Sequence, residues 1–574
     1  MSLNNEVARI LYEIGELYAI KGESFRSRAY LLAAQRIESL SEDIKKIVDQ
    51  GETEKIPGVG KSIARVIEEY LKTGSSTHFE RLKESLPRSV QDLVAIDGIG
   101  PKTAMALVQK LNIVSVNELE EAARSGKIQG LKGFGVKSEK NILRAMEFRK
   151  SVQTRFLLGQ ILPVIREIED YLTKCKAVLQ VEAAGSARRM KETVGDLDVL
   201  VAAKDNQIAV DHFVSMPRVT RVVSKGPTRS TVMVGHRRHK LQVDLRVVPP
   251  ESYGSALQYF TGSKEHNIKL RAISVKKGYK LNEYGLFTRD EGKQVAGETE
   301  EAIYEACGLS YIEPELREDR GEIEAAIDRT LPKLVGFNEM RGDLHVHSDW
   351  SDGNATLEEI AEEAQKRKLE YVAICDHSKA LGIARGLNET RLRKQMTEID
   401  KLNPKFDGFS LLKGIEVDIK RDGSLDLRNQ VLKDLDFVAA SIHSGFKGTA
   451  EQISKRVISA IHNEYVSTIA HPTGRLLLRR PPLALNVEKV FHAAGQQGVM
   501  MEINSFPNRL DLNDVNCRAA MKKGIIISIG TDAHTIDQLK YLPLGVSVAR
   551  RGWLESKDVA NTLEIHELQN TIKR

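Results

Sequence analysis

Two sets of residues in this chain have types and spacings suited to metal-assisted chemistry. Asp196 and Asp198 in GDLDVLV stand two apart. On a strand that spacing puts both carboxylates on one face, while Leu197, Val199 and Val201 pack on the other. The later run KLQVDLRVV alternates in the same way, with Leu241, Val243, Leu245 and Val247 inward and Asp244 on the polar face. Three carboxylates on a strand platform are hard oxygen ligands suited to two Mg²⁺ ions that assist an in-line displacement at phosphorus. Just upstream, Gly185 and Ser186 with Arg188 and Arg189 offer backbone and side-chain donors for a triphosphate. The blander reading of a DxD pair is a solvated strand end.

The second set is rich in histidine. Nine of the 14 histidines follow residue 340, and six of them sit beside carboxylates in short motifs. These are DLHVHSDWSDG (343–353), ICDHS (374–378), GIEVD (414–418), SIHSG (441–445), AHPTG (470–474) and GTDAH (530–534). An HxH pair on a strand points both imidazoles one way, as a metal-binding barrel mouth requires. The combined set is His345, His347, Asp352, His377, Glu416, His443, His471, Asp532 and His534. Mixed imidazole and carboxylate ligation suits Zn²⁺ or Mn²⁺ better than Mg²⁺. Nine ligands exceed the needs of one ion, so two or three are expected, bridged by Glu416 or Asp532. His462, His492 and His566 fall on predicted helices outside any motif and read as surface or packing residues. Arg475, with the basic run RLLLRRPP (475–482), is either a holder of a substrate strand near the metals or a solvated loop.

The elements that must position these residues can be read from texture. Residues 1–150 have helical periodicity and no convincing strand. Within them IPGVGKSIARVIEEYL (56–71), IDGIGPKTAMALVQKL (96–111) and LKGFGVKSEKNILRAM (131–146) repeat one unit: an apolar residue, GxG, then a helix. Such a hairpin lets backbone approach a phosphate, with free N–H groups at the next helix start; the repeats resemble helix-hairpin-helix motifs, which grip a DNA backbone, and that resemblance implies DNA contact by Gly58, Gly60, Gly98, Gly100, Gly133 and Gly135. The alternative is a turn used only for helix packing. β-branched strands begin near 155, residues 300–340 are acidic and helical, and short apolar strands then alternate with helices in the manner of an α/β barrel.

At 574 residues the chain predicts two to four domains, and 41% hydrophobic with 29% charged residues is a globular composition. No apolar run is long enough for a membrane span and the first residues lack a signal-like stretch, so a cytoplasmic protein is expected. Four dispersed cysteines argue against a disulfide framework or a zinc finger. The net charge of +6 is unevenly spread. Between Asp211 and Asp244 there is no acidic residue but seven basic ones, which suits a surface facing a polyanion.

GSARR, GDLD, VDLR and YFTGS in this order resemble the nucleotidyltransferase core of the family X DNA polymerases, and the glycine hairpins fall where that family carries them. The resemblance covers residues 1 to about 315. It implies metal binding by Asp196, Asp198 and Asp244, and triphosphate binding by Gly185, Ser186 and Arg189. Tyr259, Phe260 and Gly262 would line the sugar pocket, and Asn267 and Arg271 would approach the minor-groove edge of the nascent pair. In lyase-active animal members a lysine follows the first hairpin; Val66 stands there, flanked by Lys61 and Lys72, which puts that lyase route in doubt. Lys264 and His266 also depart from the animal pattern, and Lys264 is assigned to the nucleotide phosphates. The histidine-rich part resembles the PHP (polymerase and histidinol phosphatase) domain, an irregular (β/α)₇ barrel that hydrolyses phosphoesters, and bacterial and archaeal family X members carry such a fusion.

The expected architecture is therefore a multidomain α+β and α/β chain: an N-terminal helical domain (1–90), a helix-hairpin-helix subdomain (91–150), a nucleotidyltransferase palm with a mixed sheet (151–250), a nucleotide-selection subdomain (251–315), a linker (316–338) and a distorted (β/α)₇ PHP barrel (339–574). The expected activities are gap-filling synthesis and a 3′→5′ exonuclease, with AP-endonuclease or 3′-phosphoesterase activity as an extension. Gapped or nicked DNA and dNTPs are the expected partners of a monomer located in the prokaryotic cytoplasm at the nucleoid.

Overall fold

The computed structural model describes residues 3–38, 44–73, 76–84, 89–90, 93, 101–129, 142–143, 155–236, 239–446 and 448–572. The chain forms two compact units, Met1–Thr154 and Arg155–Arg574. No helix among the described residues is long and apolar enough to cross a membrane.

The first unit is helical. Its helices Leu3–Ile20, Ser24–Glu38 and Lys61–Thr73 bury apolar faces that include Leu11, Ile14, Ile37 and Ile67. Before the last of these lies the first glycine hairpin. Val59 N–H donates to the Ile56 carbonyl at 2.9 Å, Gly58 sits at φ +86°, and a Cβ on Gly60 would meet nothing within 4 Å. Ile56 and Val59 are buried while Gly58 and Gly60 face outward, so the turn is anchored by its apolar residues and offers bare backbone. Gly98, Gly100, Gly133 and Gly135 lie outside the described residues.

The second unit begins with the helix Leu158–Thr173, whose buried Leu158, Ile161, Ile165, Ile168 and Leu172 recur at three- and four-residue spacing. It covers a five-stranded mixed sheet of β1 (Val178–Ala183), β2 (Leu197–Ala203), β3 (Val219–Lys225), β4 (Arg229–His236) and β5 (His239–Val248), in the order β1-β2-β5-β4-β3. Only the β2–β5 pair is parallel. Leu241, Val243, Leu245 and Val247 are buried, as their alternation predicts.

Two helices, Tyr253–Thr261 and Lys264–Lys276, lead to a three-stranded antiparallel sheet of β6 (Tyr279–Asn282), β7 (Gly285–Thr288) and β8 (Gln294–Ala296). The acidic stretch that follows is packed rather than extended as a linker. Ile312, Leu316, Ile323 and Ala326 join the core of this subdomain together with Trp553 from the end of the chain. Its acidic residues are there to meet buried arginines: Glu300 accepts from Arg188 at 2.8 and 2.9 Å and from fully buried Arg317 at 2.5 Å. Glu300 is held down to about 2, because Arg317 and Arg188 outweigh the burial that would raise it.

The rest is a barrel of seven parallel strands in chain order: β9 (Gly342–Val346), β10 (Tyr371–Ile374), β11 (Ser410–Asp418), β12 (Phe437–Ser441), β13 (Thr468–Ile469), β14 (Met500–Asn504) and β15 (Ile527–Gly530). Intervening helices such as Leu357–Lys366, Ala450–Ile461 and Val487–Gln497 make the connections. Runs such as YVAI and FVAAS are buried throughout, as strands covered on both faces must be. Asp532 N–H donates to the His345 carbonyl at 2.8 Å and His347 N–H to the Ala533 carbonyl at 2.9 Å, so the end of β15 closes against β9.

Candidate active sites

In the palm, β2 and β5 pair in a register that sets Asp198 directly opposite Asp244. Asp196 lies one residue before β2 rather than on it, and it is exposed. Burial, together with the nearby Asp196 and Asp244 charges, pushes the Asp198 carboxyl up to about 6. Carboxylates that raise one another in this way are the hard oxygen ligands a divalent cation favours. Asp244 is turned into the sheet, where it accepts from Thr231 Oγ1 and from Gln242 Nε2 at 2.7 Å. Among the described residues, the groups that bring one ligand atom each within 4.8 Å do not include these three carboxylates.

A cavity of about 1020 Å³ opens above Asp196 and Asp198. All eight residues assigned to the nucleotide line it: Gly185, Ser186, Arg189, Tyr259, Phe260, Gly262, Lys264 and Asn267, and Arg271 lines it too. Gly185 has φ +61°, and a Cβ there would sit 2.7 Å from Asp198 Oδ2, so only glycine permits this approach. Ser263 caps the helix that carries Lys264, its hydroxyl accepting from the His266 N–H at 3.2 Å. Tyr259 and Phe260 meet edge to face at 5.2 Å, and the Arg246 guanidinium lies 5.1 Å from the Phe260 ring centre. Both ends of the Asn267 amide are engaged by protein, donating to the Tyr259 carbonyl and accepting from Gln258, each at 2.7 Å. Arg188 differs from the reading of it as a phosphate donor. Its guanidinium is taken up by Glu182, Thr261 and Glu300, which makes it a tie between palm and the acidic segment.

In the barrel the nine predicted residues converge at the C-terminal ends of the strands. Three overlapping groups each bring one ligand atom per residue within 4.8 Å: His347, Asp352, His377 and His534; His345, His347 and Asp532; and His377, Glu416 and His443. His471 Nε2 joins them at 2.8 Å from Glu416 Oε1. His347 Nδ1 is buried without a hydrogen bond, as a lone pair kept for a metal would be, whereas His377 Nδ1 and Glu416 Oε2 stand 2.7 Å apart as an ion pair. Burial and the neighbouring His534 and His377 push His347 down to about 3, which leaves it a neutral ligand. Burial opposes charge on His345 as well, but the Glu502 and Glu416 carboxylates hold it well above its ordinary value.

Sequence reasoning did not pick out the residues that hold these ligands. Glu502 accepts from His345 Nδ1 at 2.5 Å and from the His471 N–H at 2.6 Å, which turns His345 Nε2 toward the ligand cluster. Asn504 donates to Asp532 Oδ2 at 3.0 Å, and the Arg509 guanidinium lies 3.3 Å from the same oxygen. The available signal was Glu502 itself, a charge inside the apolar run GVMMEIN that burial would leave unstable without a partner. Arg475 is buried, bound to the Arg509 and Leu510 carbonyls and to Glu192 of the palm, so its guanidinium is spent on joining the two halves of the unit. Val66 is buried in the first unit, with Lys61 and Lys72 exposed on the same helix.

A mixed-sheet palm with an acidic register pair, joined to a seven-stranded barrel with a histidine and carboxylate mouth, defines a nucleotidyltransferase fused to a metallo-phosphoesterase barrel. Family models agree: DNA polymerase beta thumb matches residues 256–318, PHP domain 343–506, Helix-hairpin-helix domain 2–76 and SAM-like Helix-hairpin-helix tandem 90–149. The chain is 36% identical over 570 residues to the DNA polymerase/3′-5′ exonuclease PolX of Bacillus subtilis (strain 168), covering 99% of each protein. It is 33% identical over 232 residues to a probable phosphatase of Thermoanaerobacter sp. (strain X514), a match covering 38% of this chain and 89% of that one. A probable phosphatase of Acetivibrio thermocellus is 34% identical over 203 residues, covering 33% and 78%. The chain belongs to the PolX group of family X DNA polymerases, those that carry a PHP domain.

Proposed function

We propose that the protein fills short gaps in DNA by template-directed nucleotidyl transfer at the palm and removes 3′-terminal nucleotides at the barrel, with cleavage at abasic sites as an extension of the second activity. Asp196, Asp198 and Asp244 are the residues for two Mg²⁺ ions, with Asp244 rotating away from Thr231 and Gln242 to join them. The nine barrel residues are those for two or three Zn²⁺ or Mn²⁺ ions. When bound, such ions supply Lewis acidity and neutralise charge developing on phosphoryl oxygens.

The chain's own groups do the rest. Arg189 and Lys264 set positive charge against the triphosphate, and the bare backbone at Gly185 and Ser186 allows its close approach. Tyr259 and Phe260 wall the side of the cavity assigned to the sugar, while Arg271 faces the nascent pair. In the barrel, Glu502 fixes the tautomer of His345, and Asn504 and Arg509 orient Asp532. The hairpin at Gly58 and Gly60, with those at Gly98, Gly100, Gly133 and Gly135, grips the backbone of gapped or nicked DNA without reading sequence. The substrate is thus defined by damage. A monomer working at the cytoplasmic nucleoid completes the reading.

The observation that carries the polymerase assignment is Asp198, paired in register with Asp244, in the wall of a cavity also lined by Asp196, Arg189, Lys264 and Arg271. The test follows a 5′-labelled primer in a one-nucleotide gap with Mn²⁺, with and without the complementary dNTP. Asp244→Ala should abolish lengthening and spare shortening, and Asp532→Ala should do the reverse. A primer that shortens but never lengthens in the wild type would refute synthesis at the palm.

A further inference from the structure

The barrel contributes wall to the palm cavity: Asn513, Asp514, Val515, Val548 and Arg551 line the same space as Asp196 and Arg189. The two parts are packed face to face, since a Cβ on Gly159 of the palm would meet Leu544 Cδ1 at 2.7 Å and Pro507 Cβ at 2.9 Å. At this boundary stands Arg551, the last residue of the helix Leu542–Arg551 and 5% exposed. Its Nη1 donates to the backbone carbonyl of Arg189 at 2.6 Å and to Glu318 Oε1 at 3.1 Å, and its Nη2 donates to Asp514 Oδ2 at 2.6 Å. Glu318 Oε1 in turn accepts from Arg189 Nε at 3.0 Å, while Arg189 Nη1 donates to the Thr261 carbonyl. Asp514 also accepts from Arg320 at 2.9 Å, so the assembly is closed on both sides.

We propose that Arg551 is a positioning residue of the nucleotide site: by holding both Glu318 and the Arg189 carbonyl, the barrel fixes the Arg189 guanidinium at the cavity wall, where it meets the polyphosphate of an incoming nucleoside triphosphate. The role rests on Arg189 being the triphosphate-binding residue. An arginine held by two acceptors has given up its rotamer freedom on folding rather than on binding, so a pre-set guanidinium binds phosphate more tightly than a free one. Among the described residues Glu318 otherwise meets only groups of the palm, Arg189 at 3.0 Å and Lys191 at 3.5 Å, so Arg551 is its tie to the barrel. The polymerase of this chain therefore depends on a side chain from its nuclease barrel, though that side chain touches none of the nine barrel ligands.

The experiment measures gap-filling kinetics of the full chain. Arg551→Met should raise KM for the dNTP about tenfold with kcat changed less than about twofold, and Mn²⁺-dependent primer shortening should be unchanged. Arg551→Lys should recover part of the loss, because an ammonium reaches Glu318 but cannot also fork to Asp514. Arg189→Met serves as the reference. If Arg189→Met raises KM and Arg551→Met does not, the positioning role is overturned and Arg189 keeps its assignment. If Arg189→Met leaves KM unchanged, the assignment fails and the positioning role falls with it. Should Arg551→Met lose shortening as well, the variant has not folded and Glu318→Gln decides: a raised KM sustains the role, and an unchanged KM overturns it.

Discussion

Gly185→Ala is the most economical perturbation of the palm, because it adds one methyl group beside Asp198, a carboxylate proposed to hold metal. Gly185 has φ +61°, where an alanine is disfavoured by about 1 kcal/mol. The larger effect is contact, since the new Cβ would stand 2.7 Å from Asp198 Oδ2 and 3.7 Å from its Cγ. Asp198 must retreat by several tenths of an ångström, and it cannot do so by sliding along β2, where its register with Asp244 is fixed by the parallel ladder. A displacement on the order of 1 Å at a reacting centre costs about 10²-fold in rate. The retreat here is smaller, so a loss of about 10- to 100-fold in kcat for extension is expected. Single-turnover extension of a gapped primer at saturating dNTP measures it, with Mn²⁺-dependent shortening by the same sample as the control for folding. Adding Asp198→Ala to Gly185→Ala should cost no more than Asp198→Ala alone. Extension by Gly185→Ala within about twofold of wild type would refute the claim that this glycine exists to admit Asp198.

Glu502→Gln should weaken Mn²⁺ activation of shortening by about 10- to 100-fold and leave extension unchanged, because it loosens His345 without touching the palm; activity titrated against Mn²⁺ is the measurement. Glu300 contributes stability that is present above its unfolded value near 4.5 and lost as pH falls toward its folded value of about 2, a span worth about 3 kcal/mol. Thermal melts of wild type and Glu300→Gln should therefore differ most at neutral pH, and the gap should close as the pH falls from about 4.5. A gap independent of pH would mean that Glu300 is not ionised between Arg188 and Arg317.

What could be read from the chain, and what could not, follows from the range of the interactions. Asp198 and Asp244 were legible because strand alternation is local, and Leu241 to Val247 bury in the predicted phase. The nine barrel residues were legible because each motif closes its own strand. Three features were hidden because they depend on partners far away in sequence. Arg188 looks like a phosphate donor until Glu300, 112 residues on, takes its guanidinium. Arg475 looks like a substrate clamp until Glu192 appears 283 residues upstream. The stretch from 300 to 340 has the acidity of a solvated linker, yet that acidity neutralises Arg188, Arg189, Arg317 and Arg551 inside the unit. Charge density alone cannot distinguish a wet surface from a buried counter-charge.

Closure of the barrel also sets an order of events during synthesis. His345 comes from its first strand and His347 from the residue after it, and Asp532 and His534 from the segment that follows its last. The seam between them forms only when the end of β15 meets β9. Chains fold from the N-terminus as they are made. A nascent chain therefore has its palm acids on the sheet, and most of its cavity wall in place, before any nuclease centre can assemble. The wall that Asn513, Asp514, Val515, Val548 and Arg551 add to that cavity joins only with the end of the barrel, so both sites are completed together at the close of synthesis.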